Sequence, residues 1–246
     1  LGRMAVRLID PTSGTVELDG EDITKLKGKA LREARKKMQI VFQDPFSSLD
    51  PHLTLGEIIA EPLRAAGVSK TEQRERVLSL MERVGLGTEF YERYPHQLSG
   101  GQRQRVGIAR ALAPNPEVIV CDEPVSALDV SIQAQILNLL RKLQRETNIS
   151  FLFISHDLAV VRYISTRICV MFLGQLCEVC PTPDAYTRPL HPYTKLLIDS
   201  VPIPDPSQAD RKRQLLEGEI PSPINPPAGC RFCTRCPYAD ELCRTQ

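Results

Sequence analysis

The chain has 246 residues, 42% of them apolar and 25% charged, which is enough to bury a sizeable core and excludes disorder throughout. Its 31 Lys and Arg balance 30 Asp and Glu, so the broad basic footprint of a dedicated nucleic-acid binder is absent. No uninterrupted apolar run of about 18 residues occurs, and the opening Leu1-Gly2-Arg3-Met4-Ala5-Val6-Arg7 lacks the apolar centre of a signal peptide.

In chain order, Leu1 to Arg7 reads like the middle of a helix, and Ile40-Val41-Phe42-Gln43 like a strand ending in a polar group. Residues 45–98 read as a helical insertion: Ser69-Lys70-Thr71-Glu72 is a capping box opening a helix with Val77, Leu80, Met81 and Val84 on one face. Leu98-Ser99-Gly100-Gly101-Gln102 then opens a helix reaching Leu112, with Ser99 and Gln102 again at capping-box spacing. Val118 to Cys121 and Ile149 to Ile154 are nearly continuous apolar runs, the pattern of parallel strands covered on both faces. Between them Ile132, Ile136, Leu139, Leu140 and Leu143 recur at helical spacing and supply the crossover helix that a parallel pair needs. Ile168 to Leu173 and Leu176 to Val179 are expected as strands joined at Gly174-Gln175. From Pro181 onward the chain holds 12 of its 20 prolines, so Val201 to Pro206 and Ile220 to Pro223 are expected as extended linker around one short helix, Pro192 to Ser200. The segments are thus 1–44, 45–98, 99–180 and a Pro/Cys-rich extension, 181–246. The fold class is α/β, with a mostly parallel sheet core.

Three strand ends carry chemistry. Val118 to Cys121 runs into Asp122-Glu123-Pro124; a carboxylate at the C-terminal edge of an open α/β sheet can hold Mg²⁺, and the next can polarise an attacking water. His156 follows Ile154-Ser155 at the same edge, where it can hydrogen-bond a terminal phosphate. Gln43 can orient water or coordinate Mg²⁺. The capped Ser99-Gly100-Gly101-Gln102 turn presents bare helix amides, which suit phosphate, and its glycines remove Cβ atoms that would block close approach.

With these motifs in this order, the sequence resembles the nucleotide-binding subunits of ATP-binding-cassette transporters. Gln43 matches the Q-loop, Leu98 to Gln102 the signature, Val118 to Glu123 Walker B, Ser126-Ala127-Leu128-Asp129 the D-loop, and His156 the switch histidine. Phe42 to Pro51, His191-Pro192-Tyr193-Thr194 and the cysteine-rich tail bring it closer to the dipeptide/oligopeptide importer ATPases. The resemblance implies a P-loop NTPase-like (RecA-like) core with a helical subdomain, ATP and Mg²⁺. It implies a second ATPase subunit, in this subfamily a paralogue, together with transmembrane permease subunits and indirectly a solute-binding protein. The location implied is peripheral, on the cytoplasmic face of the membrane. Glu123 would position and polarise the water, Asp122 with Gln43 would hold Mg²⁺, and His156 would contact the γ-phosphate. Ser99, Gly100, Gly101, Gln102 and Asp129 would serve the partner's nucleotide. The coupling helices of the permease would meet the helical insertion and the Gln43 loop.

Gly-x-x-x-x-Gly-Lys-Ser/Thr, the phosphate cradle of this class, does not occur between Leu1 and Gln246; Gly28-Lys29 is followed by Ala30 and has Ile23 where the first glycine belongs. In the family that string stands just before a Leu-Gly-Arg-like segment, so Leu1 is expected to follow it directly. A chain without it is expected not to hydrolyse ATP by itself, since the loss of one donor to developing charge costs about 100- to 1,000-fold. A partner lending only its signature is one alternative reading. A DNA-repair type cassette ATPase is another, disfavoured by the neutral charge and the single compact insertion.

Cys230, Cys233, Cys236 and Cys243 fall within the last 17 residues. Four thiolates so close suit a [4Fe-4S] cluster or a structural Zn²⁺, and the resemblance favours iron–sulfur. Cys177 and Cys180 are expected on opposite faces of a strand as packing residues, and Cys121 and Cys169 as buried and inert. His52, His96 and His191 read as surface or capping groups. Arg103, Arg105 and Arg110 read as a solvated face or domain-contact surface.

Overall fold

The computed structural model describes residues 1–201 and 221–245. The expected linker segments reaching into residues 202–220 lie outside the described residues. The chain divides into two compact units, Leu1–His156 and Asp157–Gln246.

The first unit opens with α1 (Gly2–Ala5), the short strands β1 (Glu17–Leu18) and β2 (Glu21–Asp22), α2 (Gly28–Lys37) and β3 (Met38–Val41). Next come α3 (Leu55–Ala65), α4 (Lys70–Arg83), α5 (Gly100–Leu112), β4 (Val118–Asp122), α6 (Val130–Thr147) and β5 (Ser150–Ile154). β3, β4 and β5 form a parallel sheet in that order, with Met38 opposite Val118 and Val118 opposite Ser150. Central β4 is sealed, with Ile119, Val120 and Cys121 all buried. β5 instead occupies an edge of this sheet and leaves Leu152 exposed, so it is not covered on both faces as its apolar run suggests. α6 is the expected crossover, burying Ile136, Leu139, Leu140 and Leu143.

The helices of residues 45–98 form as expected, with one difference in the capping. Ser69 accepts the Glu72 amide at 3.4 Å, but the Glu72 carboxylate turns to Arg76 at 2.7 Å rather than back to the cap. α3 holds the complete box: the Thr54 amide donates to Glu57 at 2.9 Å and the Glu57 amide to Thr54 Oγ1 at 3.3 Å. Val77, Leu80, Met81 and Val84 are buried together as the spacing requires.

The second unit contains α7 (Leu158–Ile164), β6 (Arg167–Phe172), β7 (Gln175–Pro181), α8 (Thr182–Thr187), α9 (Pro192–Ser200) and α10 (Leu242–Thr245). β6 and β7 pair antiparallel as a two-stranded sheet of their own. Burial alternates along β6: Ile168, Val170 and Phe172 point inward, while Cys169 is exposed. Cys169 is therefore not the buried thiol that a run covered on both faces would make it. α8 was hidden by its proline, but Pro183 sits in the first turn, where the missing amide has no intrahelical partner to lose.

A register shift at Val170/Met171 places Val170 opposite Glu178 and Met171 opposite Leu176, with Cys177 between. This extra residue resets the alternation of faces. Cys177 and Cys180 consequently both pack against the Ile168, Val170 and Ala185 cluster, not on opposite faces.

Candidate functional site

The parallel register sets the site. Val41, Cys121 and Phe153 stand level at the carboxyl ends of their strands, so Gln43, Asp122, Glu123 and His156 emerge within three residues of one edge. This is where open α/β sheets place ligands. Gln43 Nε2 donates to Glu123 Oε2 at 2.9 Å, and His156 Nδ1 lies 3.1 Å from Glu123 Oε1. Both oxygens of one carboxylate are therefore engaged, each by a group from a different strand end. Glu123 adopts φ +49°, an uncommon conformation for a non-glycine residue outside loops; its amide donates to Ile154 O at 3.0 Å, which holds it to β5. The Glu123 side chain is 24% exposed and that of His156 73%, so a ligand in solvent can reach both.

Asp122 ends β4, and the first turn of α1 lies beside it: a Cβ added at Gly2 would stand 3.6 Å from Asp122 Oδ2 and 3.0 Å from Val120. The start of the first helix thus abuts the strand-end carboxylate, a proximity for which the sequence pattern held no signal. The Asp122 carboxylate and the side-chain carbonyl of Gln43 are hard oxygen donors at one edge, a chemistry that fits Mg²⁺.

Ser99 and Gln102 form the reciprocal box at the start of α5, with Ser99 N donating to Gln102 Oε1 at 3.0 Å and Gln102 N to Ser99 Oγ at 3.3 Å. The glycine pair is used within the chain. A Cβ at Gly101 would come 2.5 Å from Ile132 Cγ2, and one at Gly100 would come 3.3 Å from Leu128. The missing Cβ atoms therefore admit α6 and the turn before it, in addition to any ligand. Asp129 is the N-cap residue of α6 without a side-chain cap bond, and Ser126 Oγ donates to Glu123 O at 3.1 Å.

The arginines of α5 do not form a solvated face. Arg103 is buried, donates from Nε to Pro95 O at 2.7 Å and lies 3.7 Å from the Phe46 ring centroid. Arg110 donates to Ser48 O at 2.7 Å, and Arg105 to Val84 O and Gln135. Arg103 and Arg110 stand seven residues apart, two helical turns on one face, so the spacing did carry the signal of a shared contact.

Among the described residues no three His, Cys, Asp or Glu side chains converge as metal ligands do. The tail cysteines are linked by backbone: Cys230 N donates to Cys243 O at 2.9 Å and Cys233 N to Cys230 O at 3.0 Å. Phe232, 1% exposed, is wedged against Phe172, Tyr193 and His191. Its burial pins the intervening backbone and carries the Cys233 side chain inward. The expected four-thiol set of Cys230, Cys233, Cys236 and Cys243 is thus not assembled around a metal position. Burial pushes the Cys121 thiol far up, as expected of an inert cysteine. His191 caps α9, its Nδ1 accepting the Tyr193 amide at 3.1 Å.

A parallel sheet with these groups along its carboxyl edge is the architecture of an ATP-binding cassette, and solved cassettes superpose on it. One, a dimer in a post-hydrolysis state bound to ADP and Pi, is 34% identical with a TM-score of 0.65, covering 74% of this chain and 78% of its own. Another, cbiO1 from Clostridium perfringens, part of the transporter complex cbiONQ, is 26% identical with a TM-score of 0.68, covering 76% and 73%. The chain belongs to the ABC transporter family, whose model matches residues 1–126.

Residues 177–243 further match the model described as the C-terminal region of oligopeptide/dipeptide transporters. Curated relatives agree along the whole chain. A putative peptide import ATP-binding protein of Brucella ovis is 52% identical over all of this chain and 77% of its own length. The oligopeptide transport ATP-binding protein OppF of Salmonella typhimurium is 54% identical over 98% of this chain and 73% of its own.

Proposed function

We propose that the chain supplies the water-polarising and signature groups of the ATP-hydrolysing subunit that energises peptide import through an ABC transporter, turnover requiring in addition the Gly-x-x-x-x-Gly-Lys-Ser/Thr cradle that does not occur between Leu1 and Gln246. The observation that carries this reading is the Glu123 carboxylate at the sheet edge, gripped by Gln43 at 2.9 Å and by His156 at 3.1 Å. Peptide transport as the purpose is supported by the match of residues 177–243 and by the names of the relatives.

Glu123 accepts the proton of the water that attacks the γ-phosphorus as the bond to the β–γ bridging oxygen breaks, giving ADP and phosphate. Gln43 and His156 hold that carboxylate and, once ATP enters, turn toward the water and the γ-phosphate. Asp122 and the Gln43 side-chain carbonyl would hold Mg²⁺, and the positive charge supplied there would offset charge developing on the phosphate oxygens. Ser99, Gly100, Gly101 and Gln102, with Asp129, face the nucleotide of a second ATPase subunit, a paralogue of this one. Among the described residues no helix is long and apolar enough to cross a membrane. The chain is held peripherally at the cytoplasmic face by permease subunits, which dock on the helices of residues 45–98 and receive cargo from a solute-binding protein.

The decisive experiment is ATP hydrolysis and peptide uptake by the assembled transporter carrying Glu123→Gln. Loss of both with nucleotide binding retained is expected; turnover at the parental rate would overturn the assignment.

The tail is further proposed to take up a [4Fe-4S] cluster, with Zn²⁺ as the alternative, supported by four thiols within 14 residues and by the backbone bond joining Cys230 to Cys243. Its side chains must converge on binding, and no step of ATP hydrolysis depends on it. Iron, acid-labile sulfide and zinc contents of anaerobically purified protein distinguish the cluster from the zinc ion, and the absence of both would remove the proposal.

A further inference from the structure

The loop that carries Gln43 and the helix that opens with Ser99 are joined by one buried cation. Gln43 is followed by a tight turn in which Asp44 Oδ1 accepts the Phe46 amide at 2.8 Å. That amide, with help from Ser47, holds the Asp44 carboxyl below its ordinary range, and the turn links Gln43 and Phe46 as one unit. The Phe46 ring is 64% exposed, yet the Arg103 guanidinium lies only 3.7 Å from its centroid, well within cation–π range.

Arg103 belongs to the second of these elements, α5. It sits one turn into α5, its own amide donating to Ser99 O at 3.0 Å, while its Nε holds Pro95 O at 2.7 Å on the segment leading into Leu98. Its Nη1 is buried with no hydrogen-bond partner among the described residues. A lysine has no planar fork with which to hold its cation over a ring while bonding a carbonyl in the same plane.

We propose that Arg103 is a positioning residue that couples the Gln43 loop to the Ser99–Gln102 turn, with the exposed Phe46 ring as the lever. A displacement of that ring moves the guanidinium, and through Nε and the helix backbone it moves the Pro95 segment and the cap together. The group that polarises water and the turn offered to the second nucleotide are thereby set by one joint. Arg110, holding Ser48 O two turns further along α5, keeps the far end of the loop from taking up the motion. The inference rests on the ATPase reading for its consequence and on geometry for its mechanics, and the two are tested separately.

For the mechanics, hydrogen exchange on the assembled transporter is compared for the parent, Phe46→Ala, Phe46→Tyr, Arg103→Lys and, as control, Arg105→Lys. Phe46→Ala and Arg103→Lys are expected to raise exchange at the Gln102 and Arg103 amides at least fivefold with Val106 to Leu112 unchanged; Phe46→Tyr and the control keep parental rates. A uniform rise along α5, or none in Phe46→Ala, would overturn the joint. For the consequence, Phe46→Ala is expected to lower kcat for ATP at least fivefold with KM within twofold, and the Phe46→Ala/Arg103→Lys double variant to be no worse than the poorer single. Additive losses, or full turnover in Phe46→Ala while Glu123→Gln abolishes it, would sink the coupling alone; full turnover in Glu123→Gln would sink the ATPase reading and leave the exchange result standing.

Discussion

In Leu1–His156, three parallel strands bury aliphatic side chains and leave their polar groups at the carboxyl ends; in Asp157–Gln246, a two-stranded hairpin with one exposed face is covered by rings from distant points in the chain. Backbone hydrogen bonds arrange the functional groups in the first unit. The Glu123 amide, one residue past β4, is fixed by Ile154 O at the end of β5, so the spacing of Gln43, Glu123 and His156 follows from strand register. In the second unit side-chain packing sets the arrangement, through Phe232 against Phe172 at 5.4 Å, Tyr193 at 5.3 Å and His191 at 5.9 Å. A site built on register tolerates changes in its side chains without moving; a module built on one ring does not.

The largest effect that separates the two units is chemical. Glu123→Gln should reduce steady-state ATP hydrolysis by about 10²- to 10⁴-fold, the usual range for a general base, while the melting temperature stays near that of the parent. A large drop in melting temperature would show that the carboxylate also holds the fold. Phe232→Ala should do the opposite, costing the second unit about 3–5 kcal/mol, read as protease cleavage confined to residues beyond 156. Cleavage within residues 1–156 at the same protease dose would erase the distinction between the units.

Smaller changes test how closely α5 is fitted. Gly101→Ala forces a methyl to within 2.5 Å of Ile132 Cγ2 and should destabilise by about 1–3 kcal/mol, relieved in part by Ile132→Ala, which removes that Cγ2, in a double-mutant cycle of chemical denaturation. Ser99→Ala removes the cap and should cost about 1 kcal/mol in the same measurement.

The smallest effect is a pH dependence confined to the second unit. Burial holds the His191 imidazole below its ordinary pKa of 6.5, the nearby Glu178 carboxylate opposing it, and Nδ1 must stay unprotonated to accept the Tyr193 amide. Burial alone would raise Glu178, but Thr194 together with the amides of Leu190 and His191 outweighs it and holds its carboxyl below the usual value. With the His191 pKa lower folded than unfolded, the unfolded chain takes the proton first, so stability should fall as pH drops below about 6.5. His191→Asn, which can still cap, should flatten that slope in denaturation midpoints between pH 5 and 8.

Residues whose role is local were readable from the sequence. Ser99 with Gln102, the α6 stripe of Ile136 to Leu143, the Pro192–Ser200 helix and the polar ends of the strands all follow from capping chemistry, helical period and apolar runs, interactions spanning a few residues. The Cys177 bulge, the exposure of Cys169 and of Leu152, the buried Arg103 and the close approach of Gly101 to Ile132 were not readable. Each depends on which element lies across from it, and that is decided by strand order and packing between segments tens of residues apart. The types of group at the sheet edge were therefore determined by the sequence alone. Their convergence on Glu123, the clamp of Arg103 on Phe46 and the wedge of Phe232 were decided only by the tertiary structure, because distances between remote segments are set by the packed core and not by any local pattern.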